Sequence, residues 1–216
     1  YASKVAMIGM EAAVEAVKPG VMETEIAAEA EYVMRKAGAE RFGASTFVDS
    51  GPNSLCLHGA ATTRKIRSGE NVIIDLHPIV GEYSSDLART TFCGEPSNQQ
   101  KTALDTYKIS QEETFNKIKP GIKVLDVTNH FKEAASKLPY GTNWIPAATH
   151  GVGLEFEEWP HPSHYPQHLQ LELQPGMTIT LGHSLLPVRE LRSGFRVEDV
   201  VHITETGSEY LTHYPR

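Results

Sequence analysis

The sequence predicts an α+β domain built from two related halves that close around a shared, curved antiparallel sheet. Three observations predict it. The tetrapeptide Lys18-Pro19-Gly20-Val21 returns as Lys119-Pro120-Gly121-Ile122. Each copy lies between two stretches of helical periodicity. Each helix pair is followed by short runs rich in Val, Ile, Thr and Phe, with Gly and Pro between them. A repeat of roughly 100 residues is too long for a solenoid, so two helix-helix-strand halves packed about a pseudo-twofold axis fit better. The 216 residues suit one such domain, with halves at about 1–96 and 97–216.

The elements follow in order. The first helix covers about Ala2 to Val17, with Val5, Ile8, Ala12 and Ala16 on its apolar face, and Pro19 ends it. The second runs from about Thr24 to Lys36 and stops at Gly38. Half two repeats this. Asn98 is the expected N-cap of a helix whose stripe is Leu104, Tyr107, Phe115 and Ile118. A second helix covers about Asp126 to Leu138 and stops at Pro139. Strands are expected near Thr46–Asp49, Asn71–Leu76 and Tyr83–Phe92, then near Met177–Leu186 and Phe195–Thr204.

Composition narrows the function classes. A charged fraction of 22% and a hydrophobic fraction of 40% are those of an ordinary globular chain. No apolar run approaches the roughly 18–20 residues of a membrane helix. Twenty basic against 27 acidic residues give a net charge of −7, which argues against nucleic acid or an anionic membrane as partner. Cys56 and Cys93 form no disulfide scaffold and no CxxC, and read as reduced thiols of a cytoplasmic protein. The chain opens on Tyr1 inside a helical pattern, with no signal-type segment before it. It reads as a piece of a longer chain, with an upstream domain outside it.

The duplication extends to chemistry-bearing positions. Leu57-His58-Gly59 is echoed by Thr149-His150-Gly151, and the run Gly69 to Asp75 by Gly176 to Gly182. Asp86 sits about where Glu198 sits. Asp75 ends an apolar strand, where a carboxylate is costly unless something pairs with it. Glu198-Asp199 lies in another such strand, and only one of the two points inward. His150 stands in a short glycine-flanked turn. Three carboxylates and a histidine drawn from both halves make an oxygen-rich site for Mn, Co, Fe or Zn.

These stretches resemble a known superfamily. DLHPIVGEYSSDLARTTF, from Asp75 to Phe92, resembles the DxG…YxSDxTRT segment of the prolidase, aminopeptidase P, methionine aminopeptidase and creatinase enzymes. HGVGLE from His150, PGM from Pro175 and FRVED from Phe195 resemble its HGxGLE, PGM and VRIED signatures. The likeness runs in order over nearly the whole chain. It implies the pita-bread fold, a metal-dependent hydrolase acting on Xaa-Pro or a related small peptide or amide bond, and pairing into a homodimer. It implies that Asp75, Asp86, His150 and Glu198 bind metal, with Asp86 and Glu198 bridging two ions. It also implies that His58 helps bind substrate and steady the transition state. Arg89 and Arg196 match family arginines near the site, where they either pair with the site carboxylates or recognise a carboxylate of the substrate.

Three departures bear on this expectation. The glutamate that follows PGM in the family, a ligand and general base there, is replaced by Gly182, with His183 beside it. A substrate-facing histidine of the HGxGLExHE turn is Glu157. The glycine two residues after the first aspartate is His77, whose ring is expected to enter the substrate pocket. One ion is therefore expected to bind tightly, and a second only if His183 or Glu157 repairs its site. His58, Glu157 and His183 are the candidate catalytic side chains. The Pro- and His-rich stretch 159–168 is expected to be a loop, with His161 or His164 at the rim of the pocket. The same resemblance leaves open a creatinase-like amidinohydrolase or lyase, and a non-catalytic module that binds peptides or proteins.

Overall fold

The computed structural model describes residues 1–146 and 149–216. Helices α1 (Ala2–Ala16) and α2 (Glu23–Lys36) open half one; α3 (Asn98–Phe115) and α4 (Val124–Ser136) open half two. The face of α1 turned inward is Ala2, Val5, Ala6, Gly9, Met10 and Ala13, whereas Ile8 is 45% exposed. The expected stripe is thus out of phase. Small residues win the buried face because α2 comes close: a Cβ on Gly9 would meet the Met34 side chain. The cap of α3 is Ser97, not Asn98. Its Oγ accepts from the Gln100 amide at 3.2 Å, and Gln100 Oε1 accepts from the Ser97 amide at 2.8 Å.

Half one carries strands β1 (Arg41–Phe42), β2 (Phe47–Ser50), β3 (Asn71–Leu76), β4 (Pro78–Val80), β5 (Tyr83–Ser84) and β6 (Leu87–Phe92). Half two carries β7 (Thr178–Leu181), β8 (Leu186–Val188), β9 (Ser193–Phe195), β10 (Asp199–Ile203) and β11 (Ser208–Tyr210). All their pairings are antiparallel; β3 lies between β2 and β6, and β10 between β7 and β11. Three expected strands are each split in two. Met177–Leu186 breaks at Gly182, whose φ is +108°. Tyr83–Phe92 breaks at Ser85-Asp86, and Phe195–Thr204 at Arg196–Glu198. Two of these breaks hold the acidic side chains singled out above, Asp86 and Glu198.

The halves repeat each other down to single hydrogen bonds. Gly20 (φ +88°) donates to the Ile66 carbonyl at 2.8 Å, and Gly121 (φ +85°) donates to Leu173 at 2.8 Å. Gly69 and Gly176 likewise adopt positive φ and donate to the Cys93 and Ile203 carbonyls at 2.7 and 2.8 Å. A β-rung joins the halves: Ala88 donates to the Glu198 carbonyl at 3.2 Å, and Glu198 donates back to Ala88 at 3.0 Å. On the other flank, Thr180 donates to the His150 carbonyl at 2.8 Å. Apolar clusters of α1–α2 in half one and of α3–α4 in half two pack against the sheets from outside. The ends of β3, β6, β7 and β10 are left to meet at the seam.

Candidate metal centre

The seam gathers Asp75, His77, Asp86, His150, His183, Arg196 and Glu198, each at most 5% exposed. Asp75 comes from the end of β3, and Asp86 and Glu198 from the breaks just before β6 and β10. His77 Nε2 stands 3.1 Å from Asp75 Oδ1 and 3.7 Å from Asp86 Oδ1. His150 Nε2 stands 3.6 Å from Asp86 Oδ2, 3.9 Å from Glu198 Oε1 and 3.2 Å from His183 Nδ1. His183 Nδ1 is 3.3 Å from Glu198 Oε1. Asp75, His77 and Asp86 thus converge as one set of donors, and His150, His183 and Glu198 as another. Asp199 points to the opposite side of the strand, as alternation requires, and pairs with Arg89 and Arg216.

Arg196 is the only buried cation found inside this ring among the described residues. Its guanidinium pairs with Asp75 at 2.8 Å and with Glu198, and donates to the Leu57 carbonyl. Burial opposes ionisation of Asp75, but Arg196 and His77 outweigh it and hold its carboxyl down at about 2. Burial works the same way on Glu198, where Arg196 and His183 hold the group well below the carboxylate range. At Asp86 the pull of Arg196 is outweighed. Burial and the charges of Glu198 and Asp75 push it well above the carboxylate range. Burial, with His183 beside it, keeps His150 neutral, down to about 3.

These side chains fit a divalent cation. Both oxygens of Asp86 and Nδ1 of His77 are buried without a hydrogen-bond partner, and Asp75 and Glu198 face only Arg196 and the neighbouring imidazoles. Such atoms are rarely left idle in a folded interior. Three buried carboxylates face one guanidinium, and a cation among them would let all three ionise. Neutral imidazoles are the form that donates a lone pair to metal.

Three candidate substrate contacts sit elsewhere. His77 does not enter an open pocket; Phe47 and Phe156 close over it, with ring centroids 5.2 and 4.5 Å away. Arg89 has no donor left for a substrate. Nε binds the Pro215 carbonyl, Nη1 those of Ala88 and Glu198, and Nη2 binds Asp199 and the Tyr214 carbonyl. Arg196 is spent on the carboxylates. His58, by contrast, is accessible and lies 5.1 Å, centroid to centroid, from His183. Glu157 is half-buried, converges with His58 and His183, and bonds His161 Nε2 at 2.8 Å.

Sequence reasoning missed Phe47 and Phe156, which had no signal beyond being apolar. It also missed Asp49, a buried carboxylate in β2 that faces the Gly59 amide next to His58. Its signal was the one that marked Asp75: an acid inside an apolar strand.

A duplicated α+β domain whose halves join around a buried carboxylate–histidine centre defines the class of the molecule. Residues 1–205 match metallopeptidase family M24, and the chain belongs to that family. It is 35% identical over 205 residues to an Xaa-Pro dipeptidase of Pyrococcus furiosus, covering 95% of this chain and 58% of that protein. The prolidase structure of Pyrococcus horikoshii superposes with a TM-score of 0.92 at 33% identity, over 100% of this chain and 60% of that one. An X-Pro aminopeptidase from Thermotoga maritima gives 0.91 at 30% identity, over 100% and 59%. The fold is the expected pita-bread. The chain spans less than two thirds of the length of these relatives. No helix among the described residues is long and apolar enough to cross a membrane.

Proposed function

We propose that this domain is the hydrolytic part of a divalent-metal-dependent peptidase that cleaves the bond before proline in short peptides. The observation that carries the reading is a buried cluster of three carboxylates and three imidazoles around one guanidinium, in which neither Asp86 oxygen makes a hydrogen bond. Asp75, His77 and Asp86 would hold one ion, and His150, His183 and Glu198 a second, with Asp86 and Glu198 placed between the two groups. Such ions supply Lewis-acid polarisation of a carbonyl and a lowered pKa for water.

The chain's own residues do the rest. Arg196 keeps Asp75 and Glu198 ionised and fixed in direction. Arg89, locked to the Glu198 carbonyl and to Asp199, holds the strand that presents Glu198. His58 stands at the mouth, where its ring can donate to the oxygen of the scissile carbonyl. Glu157 would take a proton from the attacking water on Oε2 and return it to the nitrogen of the leaving amine as the amide C–N bond breaks, oriented by His161 Nε2. Phe47 and Phe156 exclude water from the inner face. Three imidazoles make the set richer in nitrogen than a carboxylate-only site, which favours Zn or Co over Mn.

The test is release of proline from Xaa-Pro dipeptides by the chain stripped with chelator and reloaded with Zn, Co, Mn or Fe. Cleavage that needs the ion and disappears in Asp86→Asn supports the reading. Undiminished cleavage after stripping, or none with any of these ions, overturns it.

A further inference from the structure

A second group of donors lies outside the seam, on the loop that follows the His150 turn. Glu157, His161 and His164 bring Oε2, Nε2 and Nδ1 together. His161 Nε2 is 2.8 Å from Glu157 Oε2 and 3.0 Å from His164 Nδ1, which also lies 3.3 Å from His161 Nδ1. Each of the three atoms can offer a lone pair to one centre, the two histidines as neutral imidazoles and Glu157 as a carboxylate. The spacing suits an ion at that centre. Bonds of about 2.0–2.1 Å in tetrahedral geometry place neighbouring ligand atoms roughly 3.3 Å apart, close to the 2.8 and 3.0 Å between these side chains.

The loop is held in place by its backbone. Gly151 donates to the Pro160 carbonyl at 2.8 Å, Glu158 donates to Gly151 at 2.9 Å, and Tyr165 donates to the His161 carbonyl at 2.9 Å. The His161 amide donates to His168 Nδ1 at 3.0 Å, so His168 sets the loop rather than joining the donors. A cavity of about 430 Å³ opens on the group, between Trp159 and Tyr165. His161 is nearly buried and His164 is exposed, which leaves the fourth direction to solvent.

We propose that Glu157, His161 and His164 form a rim site for a borderline divalent cation of the zinc and cobalt class, separate from the centre at the seam. Glu157 is the shared residue, since it also converges with His58 and His183. An ion on the rim holds the Glu157 carboxylate on the outer side and withdraws it as a proton carrier. Excess zinc therefore inhibits. The inhibition rests on the peptidase reading above; the binding does not.

The experiment compares the whole chain with His164→Ala by equilibrium dialysis against zinc alone and by the visible bands of bound cobalt. Wild type should take up one more ion than His164→Ala, with rim affinity lowered about 100-fold or more in the variant. In turnover, excess zinc should inhibit wild type and leave the variant's rate at its low-zinc value. Equal ion uptake and identical cobalt spectra in the two proteins overturn the site. Unequal uptake with equal inhibition by zinc overturns the role of Glu157 as the link. A chain without peptidase activity would fail the earlier reading, while dialysis still decides this one.

Discussion

Gly182 lies so close to Val197 that a Cβ at 182 would overlap the Val197 carbonyl oxygen. Its φ of +108° is a conformation that side chains rarely adopt. The same kink ends β7 and resets the in-out alternation, which is how His183, one residue further on, turns its ring toward His150 and Glu198. Glycine and histidine here act together. A carboxylate placed at 182 finds neither the space nor the backbone conformation. Gly182→Glu is expected to lose about 3 kcal/mol or more of stability, with no gain in bound ions. Urea unfolding and elemental analysis check this. A variant as stable as wild type and holding an additional ion would contradict it.

His183 itself is testable as a ligand. His183→Ala should lower the affinity of one inner ion about 100-fold while the ion near Asp75 and His77 stays. Zinc titration monitored by competition with a chromogenic chelator separates the two. Unchanged affinities would show that the imidazole is only a neighbour of Glu198.

Much of this was legible in the sequence, and the limits have physical causes. Asp75 and Glu198 stood out because a carboxylate among apolar strand residues needs a partner, Asp86 because the duplication set it against Glu198, and His150 because its glycine-flanked turn echoes that of His58. Their convergence follows from the way the halves join, at the Ala88–Glu198 rung and the Thr90–Arg196 hydrogen bonds beside it. The side chains that went to other tasks could not be sorted this way. Arg89 and Arg196 look alike in sequence, yet one supports Asp199 and the C-terminal carbonyls while the other enters the ring. His77 reads as an intruder in a pocket until Phe47 and Phe156 are seen covering it. The face of α1 was misphased because Gly9 and the alanines, weak signals in any hydrophobic pattern, bury better against Met34 than Ile8 does.

Asp49 should leave a mark on the pH dependence of stability. Burial, Glu23 and Asp75 push its carboxyl up from 3.8 to about 8. The folded state therefore holds this proton more tightly than the unfolded chain across that window. Stability from this group is complete below the unfolded value, falls as pH rises, and is gone above about 8. Asp49→Asn removes the proton from the balance. Urea unfolding at a series of pH values should show a shallower decline for the variant and, near pH 8, a more stable protein, by a few kcal/mol at most. Parallel curves for the two proteins would count against the shift.

Arg89 provides the last test, because the competing roles predict opposite outcomes. All five of its donors are used inside the chain, and Asp199, its partner at 2.6 Å, is fully buried. Removing one member of such a pair leaves a carboxylate with reduced compensation and costs about 3–5 kcal/mol. Arg216, 3.0 Å from Asp199, and Thr212, at 2.6 Å, soften that loss without replacing the contacts to the strand carbonyls. Arg89→Met should thus lower the thermal midpoint clearly. At a temperature where the variant is still folded, its KM for an Xaa-Pro dipeptide should stay within about twofold of wild type. A stable variant with a strongly raised KM would instead place the guanidinium on the substrate, and the hydrogen bonds to Pro215 and Tyr214 would then have to be broken in the bound state.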